Sequence, residues 1–137
     1  MKLLLDTHVL VWLLEGSSKI SEAVHNQIQE AASEDQLGIS AITPWEIAML
    51  VAKGRLRLAK DVGEWLDAAL ALPGMRLIPL SPAIAVASTR LPVPTHADAA
   101  DCILIATARN LDAALVTADQ RILAYATAGL LTCIEPS

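Results

Sequence analysis

Apolar and polar positions follow one another along this chain in blocks, and the blocks change period. Leu3-Leu4-Leu5 is an unbroken apolar run too short for a helix, and it reads as a buried parallel strand over roughly Lys2 to Leu5. Val9 to Leu14 is a short apolar helix stopped by Gly16-Ser17-Ser18, and Ser21 caps a more polar helix through about Ala32. Gln36 to Ser40 is a second strand. Thr43-Pro44-Trp45-Glu46 predicts a helix start, with Thr43 as N-cap, Pro44 in the first turn and Glu46 closing a capping box; Gly54 stops that helix. Asp61 opens a helix to about Leu72, Pro73-Gly74 turns the chain, and Arg76 to Leu80 is a third strand. Ser81-Pro82 begins a short helix reaching about Ser88, followed by the stiff Leu91-Pro92-Val93-Pro94 loop. Thr95-His96-Ala97-Asp98 repeats the cap pattern before a helix through Arg109. Ala114 to Thr117 is a fourth strand, Gln120 to Ala128 a helix before Gly129, and Leu131 to Ile134 a last short strand. Strands alternating with helices predict an α/β fold, a mostly parallel sheet of about five short strands flanked by helices.

That layout decides where the acids fall. In a parallel α/β sheet the strand C-termini and the helix N-termini share one edge, and ligands bind there. Asp6 ends the first strand and Asp119 follows the fourth; Glu46, Asp98 and Asp101 lie in first turns of helices. All five can face one edge. Carboxylates crowded together repel unless a cation sits among them. A hard divalent ion such as Mg²⁺ or Mn²⁺ takes oxygen ligands and suits phosphodiester hydrolysis by an activated water. Each acid also has a bland reading. Glu46 fits a capping box, Asp98 lies within a cap already supplied by Thr95, and Asp6 and Asp119 suit N-caps or turns. Asp101, flanked by Ala99-Ala100 and Cys102-Ile103-Leu104, shares a helical face with Asp98 and is the hardest to read as a cap.

Composition narrows the picture. The 137 residues fit one domain, 1–137, and 54% hydrophobic with 18% charged excludes disorder. Phe is absent, so the core falls to aliphatic residues, with Trp12, Trp45 and Trp65 as large anchors. A net charge of −5 argues against a general polyanion binder, yet carboxylates occupied by metal still handle phosphates. No apolar run reaches the roughly 18 residues of a membrane span. Asp6, His8 and Glu15 interrupt what would otherwise resemble a leader, and Cys102 and Cys133 lack a CxxC spacing. The expectation is a cytoplasmic protein with reduced core thiols.

Four stretches together carry a family likeness: Leu-Leu-Leu-Asp-Thr-His at the start, Thr-Pro-Trp-Glu-Ile-Ala, His-Ala-Asp-Ala-Ala-Asp-Cys-Ile-Leu-Ile-Ala-Thr-Ala, and Leu-Val-Thr-Ala-Asp. In this order and spacing the chain resembles PIN-domain proteins, and most closely the VapC-type ribonuclease toxins of VapBC toxin–antitoxin modules. The resemblance covers essentially the whole chain. It implies a metal-dependent endoribonuclease with a four-acid catalytic site at Asp6, Glu46, Asp101 and Asp119. Asp6, Asp101 and Asp119 would hold Mg²⁺ or Mn²⁺, Glu46 would complete the site and orient the attacking water, and Thr117 would orient acids or water. Asp98 is auxiliary. The products implied are a 3′-hydroxyl and a 5′-phosphate, the partners an RNA substrate, a cognate VapB-like antitoxin and a second copy in a homodimer. One departure stands out: relatives often carry His-Arg-Asp-Pro-Phe-Asp-Arg where this chain reads His96-Ala97-Asp98-Ala99-Ala100-Asp101-Cys102, so two arginines suited to phosphate are missing.

Other residues have two readings each. Lys53, Arg55, Arg57 and Lys60 are either a solvated helix end or an RNA-steering patch. Trp12, Trp45 and Met49, with Leu13 and Leu14, are either core or an apolar groove for the antitoxin. His8 is structural or a neighbour of Asp6; His8, His25 and His96 share no zinc spacing. GxSxG, P-loop and GxGxxG motifs are absent. A haloacid-dehalogenase-like phosphatase would want a second aspartate where His8 stands. A non-catalytic PIN-like scaffold binding RNA or protein is the alternative function, and a DNA-directed nuclease of the same fold also fits the sequence.

Overall fold

A computed structural model of the protein describes residues 1–92 and 98–137. The elements run β1 (Leu3–Leu5), α1 (Thr7–Glu15), α2 (Glu22–Ser33), β2 (Leu37–Ser40), α3 (Ile42–Ala52), α4 (Val62–Leu70), β3 (Met75–Ile78), α5 (Pro82–Ser88), α6 (Ala99–Leu111), β4 (Ala114–Val116), α7 (Gln120–Thr127) and β5 (Cys133–Ile134). One sheet holds the five strands in the order β3-β2-β1-β4-β5. Every strand pair is parallel. The expected architecture is thus present, with β1 at its centre. The three residues of β1 are buried, which explains why that strand is wholly leucine.

Strand alternation splits the core in two. Leu3 and Leu5 pack into a cluster with Val9, Leu10, Ile28, Ile39, Ile47 and Trp65. Leu4, pointing the opposite way, joins Leu104, Ile105, Leu115, Ile122 and Tyr125. Each fully buried leucine contributes about 1.5–3 kcal/mol. The sheet therefore fixes the end of β1 from both faces. At the far side of β2, Gly74 has φ +81°, and a Cβ there would lie 1.9 Å from the Ala32 carbonyl oxygen, so the Pro73-Gly74 turn requires glycine.

Two expectations are corrected. The third helix does not begin with a capping box at Thr43. It starts at Ile42 with Ala41 as N-cap, and no side chain caps it. The Ser40 hydroxyl accepts from the Ile42 N–H at 3.2 Å one step earlier, which begins the turn sooner. Thr43 is instead buried, and its hydroxyl has no hydrogen-bond partner among the described residues. Trp45 is not a core anchor: it is 58% exposed, whereas Trp65 is buried and Trp12 packs against the first cluster from its edge. The Thr95 cap and His96 lie outside the described residues. Among the described residues, no helix is long and apolar enough to cross a membrane.

Candidate metal centre at the carboxyl end of the sheet

Asp6 is the first residue beyond β1, in extended conformation, and it caps α1. The carboxylate is buried, yet both oxygens are satisfied. Oδ1 accepts from the Thr7 N–H at 2.7 Å and Oδ2 from the Thr117 hydroxyl at 2.6 Å. Thr117, fully buried one residue past β4, also accepts from the Asp119 N–H at 3.1 Å. One hydroxyl thus ties the ends of adjacent strands together. Burial pushes the Asp6 carboxyl above its usual range, against the pull of the Thr117 and Thr7 hydrogen bonds.

Across the same edge, Glu46 on the first turns of α3 accepts a short hydrogen bond from the Thr7 hydroxyl, 39 residues away in sequence. Its partner is therefore long-range rather than its own helix start. Its carboxyl is also raised, by burial first and then by the charges of Asp6 and Asp98. Asp98 is the N-cap of α6, its Oδ1 accepting from the Ala100 N–H at 2.9 Å and the Asp101 N–H at 3.2 Å. Asp101, one turn further, is buried, and its carboxyl is pushed up to about 7 by burial and by the charges of Asp98, Asp6, Asp119 and Glu46. Asp119 caps α7 through the N–H groups of Arg121 and Ile122.

These acids converge on one pocket of about 390 Å³, lined by Asp6, His8, Trp12, Glu46, Met49, Leu50, Arg55, Asp98, Asp101, Ala118, Asp119 and Arg121. One carboxylate oxygen each from Glu46, Asp98 and Asp101 lies within 4.8 Å of the others. The donor set is all oxygen and anionic, with the Asp101 carboxyl raised by burial and by its acidic neighbours. Such a set fits a hard divalent cation and no soft one. Asp98 is both a cap and a member of the cluster, so its two readings coexist.

Of the other predicted residues, Arg55 lines the pocket; Lys53, Arg57 and Lys60 are exposed outside its lining. Trp12 and Met49 border the acids, and Trp45 does not. A separate apolar cleft of about 560 Å³ does include Leu13 and Leu14, with Ile28, Leu37, Leu72 and Met75. His8 is exposed at the pocket wall, its ring 6.4 Å from that of Trp12. Sequence reasoning missed two contributors. Thr7 follows Asp6 directly, and that adjacency was a usable signal. Arg121, on the first turn of α7, lies with Nη2 3.7 Å from Asp119 Oδ2 and 3.9 Å from Asp101 Oδ2.

Comparison with known proteins gives this geometry a family. The PIN domain family model matches residues 3–128. The chain is 33% identical over 119 residues to Ribonuclease VapC22 of Mycobacterium tuberculosis, covering 87% of this chain and 88% of that one. A toxin–antitoxin complex from Klebsiella pneumoniae contains a chain of similar structure, at TM-score 0.64 and 26% identity over 99% of this chain and 98% of that one. VapBC2 from Rickettsia felis, bound to a DNA fragment from its promoter, shares the fold at TM-score 0.71 and 17% identity over the full length of both chains. With the family's pattern spanning nearly every element and a ribonuclease relative aligned along most of the chain, this protein belongs to the PIN-domain family and is a relative of the VapC ribonucleases.

Proposed function

We propose that this protein is an endoribonuclease, the toxin of a toxin–antitoxin pair, which hydrolyses RNA phosphodiester bonds with a divalent metal at the carboxyl end of its sheet. The observation that carries the reading is the gathering of Asp6, Glu46, Asp98, Asp101 and Asp119 in one pocket of a PIN domain. Asp6, Asp101 and Asp119 would hold Mg²⁺ or Mn²⁺, with Glu46 completing the set. When bound, such an ion supplies Lewis acidity and an activated water.

The chain's own residues do the rest. Thr117 fixes the Asp6 carboxylate and the start of the Asp119 turn, so both acids keep one orientation. Thr7 holds Glu46 with one oxygen engaged, which leaves the other for a water or the metal. The Asp101 carboxyl, raised by burial and by its acidic neighbours, would be favoured as the carboxylate by a cation beside it. Arg55 on the rim offers a donor for substrate phosphate, and Lys53, Arg57 and Lys60 extend positive charge beyond it. A cytoplasmic location belongs to the same reading. A VapB-like antitoxin is the natural partner, given that solved relatives are toxin–antitoxin complexes, and the apolar cleft beside Leu13 and Leu14 suits a helical segment. Exposed Leu77, Leu80 and Val86 on and after the edge strand and on α5 suit a homodimer contact.

The test is cleavage of a mixed RNA pool by the purified chain with Mg²⁺ or Mn²⁺, with EDTA and Asp101→Asn as controls. Cleavage abolished by both is the expected result. Cleavage that persists in Asp101→Asn contradicts the site assignment.

A further inference from the structure

Arg55 and Arg121 are the two arginines lining the acidic pocket, and they differ in how they meet the acids. Arg121 stands closest. Its Nη2 lies 3.7 Å from Asp119 and 3.9 Å from Asp101, inside ion-pair range and outside hydrogen-bond range for both. Its backbone is anchored, because the Arg121 N–H donates to Asp119 Oδ1 at 2.8 Å. Its side chain is not, being 67% exposed. A guanidinium fastened at its root, exposed at its tip and shared between two carboxylates is held by these ion pairs among the described residues. Exposed pairs of that kind are weak and easily exchanged.

Guanidinium groups match carboxylate and phosphate oxygens with the same planar donor fork. The two carboxylates that Arg121 straddles are ones assigned above to the metal, and this inference rests on that assignment. A divalent ion and Arg121 compete for the same oxygens. We propose that Arg121 exchanges partners during loading: it neutralises Asp101 and Asp119 in the metal-free protein, and once displaced it grips a phosphate of the RNA at the pocket rim. The step breaks no covalent bond. Two ion pairs are replaced by metal coordination, and the released cation finds a new anion within reach of the same side chain.

The consequence is a pair of opposite effects from one substitution. Arg121→Gln removes the competitor, so Mn²⁺ binding measured by calorimetry at low salt tightens about two- to fivefold. The same variant, loaded with Ca²⁺, binds a fluorescent mixed-sequence single-stranded RNA about tenfold more weakly by anisotropy, with RNA integrity checked on a gel. Arg121→Lys keeps the charge and loses the fork, so its metal affinity stays near the parent value and its RNA affinity falls between the two. The gain in metal affinity shrinks at high salt. A merely structural role at the start of α7 would weaken both bindings together. Metal affinity unchanged or lowered in Arg121→Gln overturns the proposal, and so does RNA affinity that does not fall. Failure of the parent protein itself to bind Mn²⁺ overturns the metal reading beneath it.

Discussion

At the amino ends of β1 and β2, Glu34 and Asp35 each face a single exposed cation: Lys2 Nζ is 2.9 Å from Glu34, and Arg76 Nη2 is 3.5 Å from Asp35. At the carboxyl ends of the same sheet, five acids share one pocket, and two of them, Asp6 and Asp101, are buried. Both ends are rich in carboxylates, but only one end is out of balance. The Glu34 pair raises the Lys2 ammonium through a hydrogen bond and its charge, the ordinary behaviour of a surface partner. At the carboxyl end, burial first and then the neighbouring acids push Asp101 up to about 7. What distinguishes a site from a decorated surface is therefore burial plus mutual repulsion that the exposed Arg121 relieves only in part, held in place by groups such as Thr117 and Thr7 that have no counterpart at the amino end among the described residues.

The largest effect that would sharpen this contrast is at Asp101. Asp101→Asn removes an anion without changing shape. Cleavage should fall by more than the roughly ten- to hundredfold typical of groups that merely support a metal ligand. The metal-free variant should at the same time melt higher than the parent at pH 8, because the repelled buried charge is gone; melting in EDTA checks this. Next is Thr117→Val, which strips Asp6 Oδ2 of its donor. Metal affinity or cleavage should drop about ten- to hundredfold, and stability by about 1–3 kcal/mol, with Thr117→Ser restoring most of both.

A smaller effect comes from pH. The folded carboxyl of Asp101 titrates near 7 against a reference of 3.8, and those of Asp6 and Glu46 are raised as well. For an acid raised on folding, stability is fully present below the unfolded value and is lost as pH climbs through the folded one. The metal-free protein should therefore melt progressively lower from about pH 4 to above pH 7. Metal binding should show the reverse dependence, tightening over that range and releasing protons, which calorimetry in buffers of different ionisation enthalpy detects. A flat melting profile in EDTA would contradict the repulsion. The smallest effect belongs to the amino end: Glu34→Gln should leave both melting temperature and cleavage within error, as exposed pairs do.

Much of this was legible in the sequence because parallel α/β topology turns local patterns into a common edge. A triple-leucine strand ending at Asp6, and helix starts at Glu46, Asp98 and Asp101, were enough to bring the acids together without any knowledge of contacts. Partners were less legible. Glu46 looked like half of a capping box with Thr43, yet its hydrogen bond comes from Thr7, and no local rule reports a contact 39 residues away. Asp98 reads from sequence as auxiliary beside a Thr95 cap, whereas its own carboxylate caps the helix and lies with those of Glu46 and Asp101. Trp45 has a core and a groove reading from sequence, and its place on the first turn of α3 turns it outward, where helical register rather than hydrophobicity decides against the core. Arg121 carried no periodic signal; its position two residues after Asp119, in the first turn of a helix, was the available hint.

Uptake of Mn²⁺ by the two ends of the sheet tests the account most directly. Free Mn²⁺ is followed by electron paramagnetic resonance as it is titrated into the parent protein, Asp101→Asn and Glu34→Gln. The account predicts saturable uptake by the parent and by Glu34→Gln, and loss of that uptake in Asp101→Asn. Equal uptake by all three proteins, or none by the parent, would contradict it.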